Sequence, residues 1–221
     1  YTCVPPTEEP PTRAGAPPGD IELTRVYGCS TRSLRNNVRY TAADEVLFTA
    51  AAVAVLHNLD EDEQRFYAGQ HTDDISALTI SADGKLIATG QRGHNAELHV
   101  WDASSLECLA VIAAHRGAVT QLAFSPDACT ITALGQDRDH TLSMFDWKTG
   151  VCLARTVTTR GTVLGMDVYQ PPPKGALINA PAAHRAQTLV AAVIGAQFCA
   201  FFSRNGADLD GGGGQTMMVR Y

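Results

Sequence analysis

Apolar and polar residues alternate along most of the chain in short stretches, a pattern that is typical of β-strands. From Asp20 onward these stretches run for roughly four to eight residues, and turn signals such as Ala82-Asp83-Gly84 and Ser125-Pro126-Asp127 separate them. No stretch carries a sustained apolar stripe with the period of about 3.6 residues that marks an amphipathic helix. The pattern therefore predicts an all-β protein made of many short antiparallel strands.

The same residue types recur at a fixed spacing along the middle of the chain. At an offset of 44 positions the register pairs His71 with His115, Ile75 with Val119, Ile80 with Phe124, Ser81 and Asp83 with Ser125 and Asp127, Leu98 with Leu142, Trp101 with Phe145, and Asp102 with Asp146. A period of about 40 to 45 residues is typical of the four-stranded blades of a β-propeller. We therefore predict blades at residues 71–114 and 115–159.

Less regular units flank these two blades. Extending the period predicts a degenerate first blade at 36–69 and a later blade at 160–205, with a surface-loop insertion at 170–187. The proline-rich residues 1–19 are interpreted as a linker or extended arm, and the glycine-rich residues 206–221 as a linker. Because the sequence begins without methionine, we expect an excerpt of a longer polypeptide.

The last blade fits the period only after the insertion is removed. When about 12 extra residues are assigned to this insertion, Phe198 and Phe201 take the places of Leu142 and Phe145 in the repeat. The sequence therefore predicts that these two phenylalanines belong to the third strand of the last blade.

One segment and the repeats together resemble a known family. The Trp101-Asp102 pair with its period resembles a WD-repeat β-propeller, and residues 26–38 (VYGCSTRSLRNNV) resemble the HELP motif of the echinoderm microtubule-associated-protein-like family, through Tyr27-Gly28 and Arg35-Asn36-Asn37. The resemblance continues in order through AVAVLHNL, QRFYAG, ATGQ and DHTLSMFDW, over about residues 21–205. It implies an incomplete propeller of about four blade-like units, preceded by a HELP-type segment at 20–40.

The WD-repeat resemblance also implies structural roles. A histidine before the first strand, an aspartate before the third strand and a tryptophan can share one buried hydrogen-bonded network, here expected for His115 with Asp139. The preceding unit has Asn95 where Asp139 stands, so we expect its network to be incomplete. Trp101 and Phe145 are predicted to be core residues, and the asparagines of the HELP-type segment turn or capping residues. The remaining predicted structural residues are Tyr27, Gly28, Asn36, Asn37, Asp102 and Asp146.

A search for catalytic or metal-binding patterns finds none. His94 and His99 flank Glu97, but a zincin needs HExxH on a helix so that both imidazoles share one face. The sequence has no GxSxG elbow, no phosphate-binding loop and no CxxC pair. We therefore predict a protein that is not an enzyme, with no catalytic residues, no metal site and no cofactor.

Charge and hydropathy exclude two classes of partner. The net charge of -6 and the pI near 5.6 argue against general nucleic-acid binding, which depends on many Lys and Arg contacts to phosphate. The longest apolar run, Val46 to Leu56, is far shorter than the roughly 20 residues of a membrane span. The six cysteines lie far apart, which favours reduced thiols and a cytoplasmic location. We expect neither nucleic acid nor membrane as a partner.

Charge is unevenly distributed along the chain. Residues 20–40 contain four arginines against Asp20 and Glu22, whereas residues 41–74 contain eight acidic residues against Arg65. A basic patch of this kind is able to face the acidic tubulin lattice, but arginines also pair with carboxylates and carbonyls inside folds. Both interpretations stay open here. The candidate partner-binding residues are Arg25, Arg32, Arg35 and Arg39, with Arg32 and Arg39 expected to be the exposed pair.

The family resemblance implies a function. It implies a non-catalytic, microtubule-associated structural protein that binds the tubulin lattice and other cytoskeletal or axonemal proteins. The expected location is the cytoplasm and cytoskeleton, in the axoneme of a cilium or flagellum or in a centriole. Because a fold alone implies no chemistry, two alternatives remain. One is a WD-repeat adaptor that scaffolds a protein complex without direct tubulin contact, and the other is the targeting module of an enzyme.

Overall fold

The structure, a computed structural model, describes residues 22–29, 35–158, 161–169, 188–196, 198–205 and 216–220. Every regular element in this part of the chain is a β-strand. The strands are β1 (Val38–Tyr40), β2 (Val46–Ala50), β3 (Val53–Asn58), β4 (Glu63–Tyr67), β5 (Ile75–Ile80), β6 (Leu86–Gln91), β7 (Ala96–Asp102), β8 (Cys108–His115), β9 (Val119–Phe124), β10 (Thr130–Gly135), β11 (Thr141–Asp146), β12 (Val151–Val157), β13 (Val163–Tyr169), β14 (Thr188–Gly195), β15 (Cys199–Asn205) and β16 (Thr216–Arg220).

The strands form four antiparallel sheets, and each sheet uses four consecutive strands in chain order. The first strands of successive sheets, β1, β5, β9 and β13, contact one another. Each sheet is therefore one blade whose first strand is innermost, as in a propeller. The predicted all-β fold, an incomplete WD-repeat propeller, is confirmed.

The repeat produces the same turn between the first two strands of the middle blades. Ser81 Oγ donates to Asp83 Oδ1 at 2.6 Å, and Ser125 Oγ donates to Asp127 Oδ1 at 2.5 Å. The backbone N–H of Leu86 donates to Ser81 Oγ, which closes the turn. These short polar side chains satisfy backbone donors that the tight reversal leaves unpaired.

Three clusters of buried apolar residues lie between neighbouring blades. Leu47, Leu56, Tyr67, Ile87 and Trp101 join the first blade to the second; Leu98, Val119, Ile131 and Phe145 join the second to the third; Leu134, Leu142, Val193 and Phe202 join the third to the fourth. Trp101 is 0% exposed and Phe145 is 2% exposed, so both predicted core residues are buried. Because each blade buries apolar surface against its neighbours, stability comes from stacking whole blades.

The fourth blade differs from its prediction at its end. Strand β16, Thr216–Arg220, pairs with β15 as the fourth strand of that blade. It lies inside residues 206–221, which the glycine run predicts to be a linker, so the linker prediction is wrong for 216–220. The segment TMMVR after the glycines contains the β-branched residues Thr216 and Val219, which favour a strand. The predicted arm at 1–19 and the insertion at 170–187 lie outside the described residues.

The register of the fourth blade is also one residue later than predicted. Phe202 pairs with Ala191 on the second strand, as Phe145 pairs with Ile131 in the third blade. Phe202 is 3% exposed, whereas Phe201 is 37% exposed. A shift of one residue moves a side chain to the other face of a strand. Phe202, and not Phe201, therefore takes the place of Phe145.

Candidate functional site

A directed chain of hydrogen bonds lies inside the second blade. Trp101 Nε1–H donates to Thr89 Oγ1 at 3.2 Å, and His71 Nε2 lies 2.7 Å from the same oxygen. His71 Nδ1 lies 2.9 Å from Gln91 Oε1, which accepts hydrogen bonds only. His71 Nδ1 therefore carries a proton, and in the neutral ring Nε2 accepts the Thr89 hydroxyl. The network links the segment before the first strand to the second and third strands of the blade.

Aromatic rings from two blades pack onto this network. The Tyr67 ring stacks on Trp101 with centroids 4.6 Å apart, and the His71 and His99 rings stack at 3.8 Å. Tyr67 Oη lies 3.0 Å from His99 Nδ1, while His99 Nε2 lies 3.6 Å from a Glu97 carboxylate oxygen. Because Tyr67 belongs to the first blade, the cluster also joins the two blades.

Burial determines the protonation of this cluster. Loss of solvation lowers the pKa of His99 to about 4. The pKa of His71 is lowered to about 4 first by burial and then by repulsion from His99. Burial, followed by the nearby Cys108, raises the pKa of the Tyr67 phenol. All three groups are therefore neutral near pH 7, as a buried structural cluster requires.

This network corrects the prediction for the second blade. Asn95 stands where an aspartate was expected, but Gln91 supplies the acceptor for His71 and makes the network complete. Nothing in the 44-residue alignment marks Gln91, because its counterpart in the third blade is Gly135. Only the distance from His71 in the folded protein identifies Gln91 as the partner.

The third blade holds its histidine differently. His115 Nε2 lies 3.3 Å from the Ala133 carbonyl oxygen, because Ala133 replaces the threonine of the second blade. A Cβ added at Gly135 would lie 2.6 Å from His115 Nδ1, so the glycine makes room for the ring. The expected link between His115 and Asp139 stays a prediction.

The two aspartates that end the third strands form turns. Asp102 Oδ1 accepts hydrogen bonds from the backbone N–H groups of Ser104 and Ser105, both at 2.9 Å, and from the Ser104 hydroxyl at 2.6 Å. The Ser104 hydroxyl is the main cause that lowers the pKa of Asp102 to about 2. Asp146 accepts from the backbone N–H of Lys148 at 3.0 Å. Both carboxylates therefore stabilise turns.

The HELP-type segment runs along the first blade. The backbone N–H of Val26 donates to Gln64 Oε1 at 2.8 Å, and Gln64 Nε2 donates back to the Val26 carbonyl at 3.2 Å. Arg25 forms an ion pair with Asp62 and lies over the Tyr27 ring at 5.7 Å. Tyr27 itself is 86% exposed, and Gly28 has a positive φ of 81°. Arg25 thus has a structural partner, whereas Tyr27 faces solvent.

The other candidate arginines occupy different environments. Arg35 is exposed, whereas Arg39 is half-buried and donates to the Val38 carbonyl at 2.9 Å. Arg32 lies outside the described residues. Asn36 has a positive φ of 57°, as expected of a turn residue, and Asn37 is half-buried. The expectation that Arg39 is an exposed arginine is therefore wrong, and Arg35 is the exposed candidate that the structure describes.

Arg35 lines a cavity of about 320 Å³ at one end of the blades. The cavity lies where the first strands begin, and we call this end of the molecule the upper face. Its lining comes from three blades and the segment before β1: Arg35, Ser76, Arg92, Thr120, Gln121, Gln136 and Val163. The spacing of motifs along the sequence does not reveal this site, because its residues meet only when the blades stack.

The two ends of the described blades differ strongly in charge. The lower face is formed by the turns at 41–45, 58–63, 81–86, 102–107, 125–130 and 146–151, which contain eleven carboxylates and two lysines. The described upper-face segments contain Arg35, Arg92, Arg116 and Arg138 against Asp73, Asp74, Asp137 and Asp139. The lower face is therefore acidic and the upper face nearly neutral.

Within the described residues, no group of three or more His, Cys, Asp or Glu side chains is placed to hold a metal ion. The same part of the chain contains no helix that is long and apolar enough to cross a membrane. Thr89, His99 and Gln91 of the second blade are buried polar side chains, at 0%, 2% and 3% exposed. That arrangement supports a structural role for them.

Comparison with known proteins adds two family matches. The HELP motif matches residues 16–55, and the WD domain, G-beta repeat, matches residues 63–102 and 106–146. Each WD match begins at or just before the fourth strand of one blade and ends with the third strand of the next. The repeat therefore interlocks neighbouring blades.

Sequence relatives narrow the family. The chain is 32% identical over 164 residues to the 77 kDa echinoderm microtubule-associated protein of Lytechinus variegatus, covering 70% of this chain and 24% of that protein. It is 33% identical to the human echinoderm microtubule-associated protein-like 1 over 67% of this chain and 20% of that protein. The chain is a homologue of the echinoderm microtubule-associated proteins. It spans about a fifth to a quarter of the length of these relatives.

A solved structure agrees with the fold of this echinoderm microtubule-associated protein homologue. The crystal structure of the RRP9 WD40 repeats matches with a TM-score of 0.57 and 17% identity, over 74% of this chain and 46% of that one. At that identity the likeness shows the fold alone.

Proposed function

We propose that this protein is a non-catalytic, microtubule-associated structural component that binds the tubulin lattice in cilia, flagella or centrioles. The observation that carries the proposal is the HELP motif followed by WD repeats, in the same order as in relatives named microtubule-associated proteins. A rigid stack of blades presents large surfaces to partners without requiring chemistry of its own.

The charge of the two faces supports one orientation on an acidic lattice. The lower face, with eleven carboxylates against two lysines, would be repelled by acidic tubulin. The upper face has balanced charge and displays Arg35, which belongs to the HELP-type segment. Contact through the upper face, where Arg35 lies, is therefore favoured, whereas Arg25 pairs with Asp62 on the lower face.

Co-sedimentation with microtubules tests this proposal. The intact protein is expected to pellet with microtubules at low salt and less at high salt, because exposed charges are screened beyond a Debye length of about 8 Å at physiological ionic strength. Replacing Arg32 and Arg35 together by glutamate should weaken binding by about 1 to 3 kcal/mol. The matched control replaces Lys85 and Lys148 on the lower face by glutamate and should leave binding unchanged.

Two outcomes would count against the proposal. A parent protein that fails to pellet at low salt, and is absent from isolated axonemes and centrioles, would exclude microtubule association. Equal loss in the arginine and lysine variants would show a general charge effect without a defined contact. Unchanged melting temperatures in both variants would establish that the fold is intact.

The acidic lower face favours a second candidate function. Eleven carboxylates on one set of turns suit a basic protein partner, as in a WD-repeat adaptor that scaffolds a complex without tubulin contact. Pull-down from a cell extract should then recover a stable basic partner while polymerised tubulin does not bind. Charge reversal at Asp60 and Glu61 should release that partner.

A further inference from the structure

We infer that a cavity on the lower face, between the first and second blades, binds an apolar side chain from a basic segment of a partner protein. The cavity has a volume of about 290 Å³. The inference deepens the second candidate function, on which it rests for the class of partner, and it does not depend on tubulin binding. Because the lower face lies at the opposite ends of the strands from Arg35, contact with a lattice through the upper face leaves this cavity accessible.

Three lower-face turns build the cavity, and they lead into β2, β6 and β8. The backbone N–H of Ala42 donates to the Gly84 carbonyl at 3.3 Å, and the backbone N–H of Ala103 donates to the Lys85 carbonyl at 2.8 Å. A Cβ added at Gly84 would lie 2.7 Å from the Ala42 backbone nitrogen, so glycine permits this close approach of two blades. Since hydrogen bonds join its walls, the cavity is formed before a partner arrives, and binding requires little ordering of the protein.

Most of the polar side chains in the lining are already hydrogen-bonded within the protein. Arg65, from β4, donates to both carboxylate oxygens of Glu45, at 3.0 and 2.7 Å. The same guanidinium donates to the carbonyl oxygens of Ala103 and Ser104, at 3.0 and 2.7 Å. Thr41 Oγ1 accepts the backbone N–H of Glu45 at 3.3 Å. Arg65 and Glu45 therefore neutralise each other and hold the cavity together.

The rest of the lining consists mainly of small residues. Ala42, Ala43 and Ala103 contribute no more than methyl groups, and Gly84 contributes only backbone. Small residues leave the space open to a side chain from outside, and their methyl groups offer it apolar contacts. The volume of the cavity is at the lower end of the range for ligand pockets. It therefore suits a single aliphatic side chain better than a large ligand.

The turns around the cavity are acidic. With Arg65 included, they contain five carboxylates against two cationic side chains, a formal charge of -3. The carboxylates are those of Asp44, Glu45, Asp83, Asp102 and Glu107. Hydrogen bonds, first from the Ser81 hydroxyl and then from the backbone of Lys85, lower the pKa of Asp83, so it stays ionised near pH 7. Such a surface attracts a basic segment and repels an acidic one. An apolar side chain with lysines or arginines on either side fits both the cavity and its surroundings.

Peptide binding tests the inference directly. In fluorescence anisotropy, the intact protein should bind a labelled pentapeptide in which two pairs of lysines flank one leucine. The same peptide with glycine in place of leucine should bind at least tenfold more weakly, because it lacks the side chain that the cavity buries. A peptide with glutamates in place of the lysines should not bind, because the lower face repels it.

Filling the cavity should have the same effect as removing the leucine. Ala42 and Ala43 are exposed residues of the lining, so replacing both by leucine occupies the space without changing the charge. This variant should bind the leucine peptide at least tenfold more weakly than the parent protein. The matched control is Ala82→Leu, which adds the same side chain to an exposed position of the same face outside the lining, and it should change the affinity less than about twofold.

The outcomes separate this inference from the second candidate function. Equal affinity for the leucine and glycine peptides would show attraction by charge alone and would overturn the inference, even if a basic partner is recovered from an extract. Failure of the parent protein to bind the leucine peptide would also overturn it. Weaker binding confined to the glycine peptide and the cavity-filling variant would support it even if no such partner is recovered, in which case the adaptor function fails alone. If the cavity-filling variant melts at a lower temperature, the comparison of the two peptides on the unaltered protein decides.

Discussion

Thr89 and Thr132 are both fully buried on second strands of neighbouring blades, but their hydroxyl groups have different surroundings. Thr89 Oγ1 accepts from Trp101 and contacts His71, whereas Thr132 Oγ1 has no hydrogen-bond partner among the described residues. A buried hydroxyl stabilises a fold only when it is paired. The two residues therefore form a natural matched pair.

Replacing Thr89 by valine should destabilise the protein by about 1–3 kcal/mol, because Trp101 and His71 each lose a buried partner. The Thr132→Val substitution also replaces a hydroxyl by a methyl group, and it should leave stability unchanged or raise it slightly. Urea unfolding of both variants measures the difference. Equal effects of the two substitutions would show that the network contributes nothing beyond packing.

The paired histidines make stability depend on pH. Their pKa is lowered in the folded protein to about 4 from an ordinary value of 6.5. Between pH 6.5 and 4 the unfolded state therefore binds more protons, and the free energy of unfolding falls as pH falls, by at most about 1.4 kcal/mol per pH unit for each histidine. Above pH 6.5 this contribution is fully present.

Thermal melts between pH 4 and 7.5 measure this dependence. Replacing His99 by glutamine should reduce the slope, and replacing the exposed His94 by glutamine should not change it. A parent protein whose stability is constant from pH 6.5 to 4.5 would contradict the protonation assignment.

At the scale of single residues, the sequence predicts the core more reliably than the polar network. Trp101 and Phe145 are recognisable because large apolar residues at the same place in a repeat face the same neighbouring blade. Gln91 is not recognisable, because hydrogen bonding requires only that a suitable atom lies within reach, and residues at different positions meet that requirement. The upper-face cavity is equally hidden, since its lining residues share no spacing.

At the scale of elements, adjacent phenylalanines on β15 occupy opposite faces of the fourth blade. Phe202 packs in the cluster between the third and fourth blades, and Phe201 is partly exposed. Phe202→Ala should cost about 3–5 kcal/mol through the lost burial and the cavity left behind, and Phe201→Ala should cost much less. Chemical denaturation of the two variants measures both values. A larger loss of stability for Phe201→Ala than for Phe202→Ala would support the register predicted from the repeat.

Strand β15 also shows why the sequence predicts the positions of strands better than their registers. Alternation and turn residues predict short antiparallel strands within the blades at 71–114 and 115–159, and strands such as β5 and β9 are present there. The insertion before β14 breaks the 44-residue count, so nothing local fixes which phenylalanine faces inward. Packing against Leu142 and Val193 of the same cluster decides the register instead.

At the scale of the whole molecule, stacking determines stability and also leaves apolar surface unpaired. The three core clusters join the four blades in sequence, so the first and the fourth blade each contribute to only one cluster. The outer surfaces of these blades carry exposed apolar residues: Val38 and Tyr40 on the first, and Tyr169, Ile194 and Phe201 on the fourth. Apolar patches of this kind promote association.

We therefore expect residues 21–221, expressed alone, to self-associate as concentration rises. Size-exclusion chromatography with light scattering should show oligomers, because each molecule can cover the apolar surface of a terminal blade on another. Replacing Ile194 and Phe201 together by lysine should reduce association without lowering the melting temperature, since neither side chain lies in a buried cluster. Replacing Leu109 and Val111, which are exposed on the second blade, is the matched control and should have a smaller effect. A monomeric parent that melts cooperatively at high concentration would show that four blades are sufficient for a stable unit.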